Sequence, residues 1–117
     1  MRKKPSGPAL TDIADATEAA ADPDAGNANY VAAMIRNARA IAARQAAAGD
    51  GPERAETASL KTLLGRDGGL DDLNRALARA IRQGNAPDGT HAHLTAVMRS
   101  ELAESNPRYL ARLDDDV

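Results

Sequence analysis

Tyr30–Gln45 reads YVAAMIRNARAIAARQ, and the fold class follows from this stretch. It lies in the longest run of the chain free of Gly and Pro. Wound as a helix at about 100° per residue, it places Val31, Met34, Ile35, Ala38, Ile41 and Ala42 in one apolar stripe. Arg36, Arg39 and Arg44 point elsewhere, and Asn37 falls at the edge of the stripe beside Ile41. A helix with one apolar stripe needs other elements to cover it, so the rest of the chain is read as its cover.

Going outward, the flanks repeat the helical theme. Met1–Ala9, with Pro5, Gly7 and Pro8, reads as a disordered lead-in over residues 1–9. Thr11 or Asp12 caps a short helix through Ala21 that turns Leu10, Ile13 and Ala16/Thr17 inward. Asp22-Pro23-Asp24 and Gly26 break it. After the central helix, Gly49-Asp50-Gly51-Pro52 leads into a helix over Glu53–Leu64 that Gly65 ends. Leu70, Leu73, Leu77 and Ile81 mark another over Leu70–Gln83, and Gly84 stops it. A last long helix runs from about Thr90 to Glu104 and buries Leu94, Val97, Met98 and Leu102. Pro107 disfavours helix at Asn106, and Tyr109, Leu110 and Leu113 form a short apolar coda. No window alternates like a strand. The expectation is an all-α, compact bundle of four or five helices with short connections, one domain over 10–113, and an acidic tail over 114–117.

Composition narrows the function classes. The chain has 117 residues, no Cys, Trp or Phe, and two Tyr, so Leu, Ile, Val, Met and Ala must fill the core. Ala-rich helices bury little area each, which favours association with a second copy or another protein. Without Cys there is neither a disulfide nor a thiolate metal site. A net charge of −2 gives no general attraction for nucleic acid or membrane surfaces. There is no apolar h-region of a signal peptide and no run long enough to cross a bilayer, so a cytoplasmic protein is expected.

Candidate chemistry is thin. His91 and His93 diverge by about 200° on a helix, the wrong geometry for one metal, and no partner sits at the i+3 or i+4 spacing. His93 is read as orienting a backbone carbonyl or the Asn106-Pro107 corner. Asp71 and Asp72 suit the first turn of a helix. Glu101 and Glu104 stand i and i+3 without a His, Cys or buried Asp to make an acid–base pair. Ser6, Ser59, Ser100 and Ser105 have no sequence neighbour that activates a hydroxyl. The run GRDGG lacks the second half of a nucleotide fingerprint. No catalytic, cofactor-binding or metal residue is therefore assigned, and the chain is not expected to be an enzyme. Arg75, Arg79 and Arg82, at i, i+4 and i+7 opposite Leu73, Leu77 and Ile81, are the possible contacts for an anionic ligand or partner, together with His93. The plainer reading is a solvated face paired with Asp71, Asp72 or the acidic tail. No aromatic interleaves these arginines, which argues against nucleic acid. Asn37 and Asn106 read as structural polar residues, the first at a core edge and the second shaping its own corner.

The order of these pieces carries a resemblance. Tyr30, Asn37-Ala38, Ala40-Ile41 and Arg44 come first, then Leu63-Leu64-Gly65, then Leu73-Asn74, Leu77 and Ile81-Arg82-(x)-Gly84. His93-Leu94 and Asn106-Pro107-Arg108-Tyr109-Leu110 complete it. Over about Tyr30 to Leu110 the chain resembles an uncharacterised family of small, all-helical bacterial domains. Members of that family are often encoded beside aminoglycoside-phosphotransferase-like and acyl-CoA-dehydrogenase-like proteins. This chain departs from the pattern at Gln45, where Glu is favoured, and at Arg39, where Leu is favoured. The family supplies no catalytic residues to carry over. The resemblance implies a non-catalytic accessory or protein-interaction module partnering one of those enzymes. The second reading is a binding protein or enzyme for an acyl or phosphorylated ligand, using a pocket near Asn37, His93 and the arginines. The third is a structural homo-oligomer.

Overall fold

Residues 1–115 are described by the structure, a computed structural model. They form six helices: α1 (Gly7–Ala20), α2 (Ala28–Ala48), α3 (Gly51–Leu64), α4 (Leu70–Arg82), α5 (Thr90–Ser105) and α6 (Pro107–Asp115). Among the described residues there is no strand. The all-α class is as read from the sequence, but the helix count exceeds the expected four or five. The extra helix is α6, read in the sequence as a coda. Asn106 Oδ1 accepts the backbone N–H of Tyr109 at 3.2 Å, and Pro107 opens the helix at a position with no N–H to satisfy. Asp114 and Asp115 belong to the end of α6 rather than to a separate tail, and Asp116 and Val117 lie outside the described residues.

The start of α1 is also earlier than expected. It begins at Gly7 with Pro8 in the first turn, not at Thr11 or Asp12. Proline breaks a helix interior but fits its first turn, so Pro8 opens the helix. The same logic puts Gly51-Pro52 at the head of α3. Gly65 closes α3 with φ 65°, a left-handed conformation that favours glycine.

Contacts sort the chain into two units, Arg2–Gly49 and, with Met1, the residues from Asp50 onward. In the first, α1 packs on α2. Ala14, Ile35 and Ala42 are its buried apolar residues. Only part of the expected stripe on α2 is covered: Met34 is 52% exposed and Ile13 of α1 is 50% exposed. The buried side is turned toward Arg39, whose guanidinium meets Glu18 at 2.7 Å and Asp15 at 3.0 Å on α1. Gln45 is buried, and its Oε1 accepts the Gly7 N–H at 2.7 Å, which satisfies an otherwise open donor at the head of α1.

In the second unit, α3 packs against α4 and α5, and α5 packs against α6. Leu60, Leu73 and Leu77 are its buried centre, with Leu63, Leu64 and Leu70 around them. This leucine cluster of α3 and α4 contains the largest fully buried side chains, Leu60 and Leu73.

Candidate functional site

The basic face of α4 arises from simple helical geometry. Leu73 and Leu77 are buried, so residues on the other side of the helix are carried outward, and Arg75, Arg79 and Arg82 are all exposed. Asp71 and Asp72 occupy the first turn and Arg79 and Arg82 the last, each complementing the helix dipole. Arg75 Nη1 approaches Asp72 Oδ1 at 3.9 Å, an exposed and loose pair. Among the described residues Arg79 and Arg82 form no ion pair. The end of α6 is engaged elsewhere: Asp114 holds Arg99 at 2.8 Å.

His93 does not serve the Asn106-Pro107 corner. It is 5% exposed on α5, and its Nδ1 lies 2.6 Å from Ser59 Oγ on α3. The hydroxyl donates in the tautomer that carries its proton on Nε2 and accepts in the other. Ser59 thus has the neighbour that its own sequence surroundings lack, supplied from 34 positions away. One turn earlier on α3, the buried Glu56 accepts Asn74 Nδ2 from α4 at 3.0 Å, and its other oxygen pairs with the amino group of Met1. Glu104, three turns beyond His93 on the same side of α5, is buried as well, and Thr90 donates to the Pro87 carbonyl at 2.6 Å. His91 is exposed.

A Ser–His contact is the start of a nucleophile–base unit, and its setting decides what it does. Ser59 sits in the body of α3, where neighbouring backbone N–H groups are committed to the helix ladder. Acyl transfer also needs donors aimed at a developing oxyanion, and mid-helix backbone has none to spare. The pair therefore joins α3 to α5 as a part-buried hydrogen bond. Among the described residues, no group of three His, Asp or Glu side chains is placed to hold a metal ion.

The remaining expected residues are dispersed. Asn106 caps α6 through its side chain, and Asn37 is exposed on α2, where the polar residue taken inward is Gln45. Three open grooves, of about 510, 840 and 540 Å³, run along α1 and α2. None of the three is lined by Asn37, His93, Asn106 or the α4 arginines. Two carboxylates titrate low for visible reasons. The hydrogen bond from Arg39 holds Glu18 below the usual glutamate range, and Lys61, with help from the Gly68 N–H, does the same for Asp67.

Sequence reasoning missed Glu56 and Gln45 as buried polar groups and the half-buried Ser59 as the partner of His93. A signal for two of them is present: Glu56, Ser59, Leu60 and Leu63 stand i, i+3, i+4 and i+7, so they share a face.

Fold and site together define an all-helical protein with a basic outer helix face and a buried polar seam under its leucine core. The chain belongs to the family described as a domain of unknown function, DUF6285, whose model matches residues 23–109. No curated protein matches the chain, and no solved structure matches it.

Proposed function

We propose that this chain is a non-catalytic helical accessory module that binds a larger protein through the outer face of α4. The observation that carries the reading is the exposure of Arg75, Arg79 and Arg82 on one side of a helix anchored from behind by Leu73 and Leu77. The helix holds their backbones in place, so only the side chains must be ordered on meeting carboxylates, and each guanidinium offers a planar, bidentate fork. The partner surface is acidic. The sequence resemblance makes a phosphotransferase-like protein the first partner to test and an acyl-CoA-dehydrogenase-like protein the second.

The test is co-purification of the full chain with each candidate, alongside a variant carrying Arg75→Gln, Arg79→Gln and Arg82→Gln. Association that weakens at least tenfold in the variant, and with added salt, supports the proposal. Equal capture of both proteins would sink the arginine face as the contact, and no capture of either would sink the choice of partners.

A further inference from the structure

Helix α5 is built inside out. Its buried residues are Thr90, His93 and Glu104, all polar, while Leu94 and Met98 are 47% and 44% exposed. Single exposed apolar side chains are ordinary on a protein surface. Here the two stand i and i+4, next to each other on the outer face, on a helix whose fully buried residues are polar and whose Val97 and Leu102 are only half-buried. The same outer face continues to the exposed His91 one turn before Leu94 and to the half-buried Glu101 near one turn beyond Met98.

The order His91, Leu94, Met98, Glu101 is symmetric about the level of Ala96. A two-fold axis there sets Leu94 of one copy opposite Met98 of the other, and His91 opposite Glu101, each contact made twice. A parallel arrangement would instead set Glu101 against Glu101. An imidazole N–H set to donate to a carboxylate, in place of two carboxylates facing each other, fits a second copy running antiparallel. We propose that the outer face of α5 is a homodimer interface, covered by α5 of a second copy running antiparallel. This surface is distinct from the α4 arginine face, so the dimer and the proposed partner contact stand or fall separately.

The mass of the full chain in solution is followed by sedimentation equilibrium up to about 100 µM, where a weak dimer populates. The expected result is a concentration-dependent dimer whose Kd rises at least tenfold in Met98→Glu, with helical circular dichroism unchanged because the side chain is exposed. Glu101→Lys weakens the dimer, and His91→Glu added to it restores association. Since the chain lacks cysteine, Leu94→Cys and Met98→Cys proteins report the register directly. Mixed, they form a disulfide-linked heterodimer in preference to either homodimer. A monomer throughout the concentration range overturns the proposal, as does a dimer indifferent to Met98→Glu. Leu94→Cys alone cross-linking as well as the mixture overturns the antiparallel register.

Discussion

The hydroxyl of Ser59 and the ring of His93 show how one contact fixes two helices. Their 2.6 Å bond is part-buried between α3 and α5, and the His93 ring is buried, so removing the Ser59 hydroxyl leaves a ring nitrogen with little access to water. Ser59→Ala should cost about 1–2 kcal/mol in urea unfolding, from the unsatisfied His93 nitrogen. Gly65 makes a different demand. Its φ of 65° is strained for any residue with a Cβ, although nothing lies within 4 Å of the place a Cβ would take. Gly65→Ala should therefore cost about 1 kcal/mol, with Gly65→Asn milder, read by the same unfolding curves. On the surface, Arg39 governs Glu18. Because the folded carboxyl titrates below its unfolded value, the pair's contribution is present above the unfolded pKa and fades as pH falls through the folded one. In Arg39→Ala, carboxyl NMR titration of Glu18 should move back up to the ordinary glutamate range. An unmoved midpoint would mean that Arg39 is not the cause.

At the scale of elements, α4 and α5 make opposite cases. The apolar residues of α4 recur on one side and the arginines on the other, so the face that is buried could be read from spacing alone. Leu77→Ala removes a side chain that is 3% exposed from a cluster with Leu60 and Leu73, and should cost about 3 kcal/mol. For α5 the same rule gave Leu94, Val97, Met98 and Leu102 as core; Val97 and Leu102 are half-buried, while Leu94 and Met98 are exposed. Apolar periodicity finds the inner face only when polar residues on a helix have no better partners than water. His93 has Ser59, and Thr90 has the Pro87 carbonyl, so the polar side of α5 is taken inward instead. The helix α6 was hidden for a related reason: Pro107 reads as a stop, and its use as a start depends on Asn106 capping Tyr109.

Across the whole chain, the two units differ in what fills them. Arg2–Gly49 buries Ala14, Ile35 and Ala42, whereas the unit from Asp50 onward buries three leucines with three more at their edge. Small side chains lose little area to water on burial, so α1 and α2 should open at a lower free energy than α3 and α4. Native-state hydrogen exchange should therefore show faster exchange at Ile35 and Ala42 than at Leu60 and Leu73. The reverse order would mean that buried apolar area does not set local stability in this chain.

The linear chain by itself determined that this protein is helical, where the central helices lie, and that arginines share the outer face of α4. Those properties depend on residues within a few positions of one another, through the period of the helix and the stops at glycine and proline. Only the tertiary structure decided that Met34, Leu94 and Met98 remain exposed, that Gln45, Glu56 and His93 go inside, and that Ser59 meets His93. Each of those outcomes rests on a partner distant in sequence. A polar side chain is buried when a matching donor or acceptor stands in reach, and no local spacing records where that partner will be.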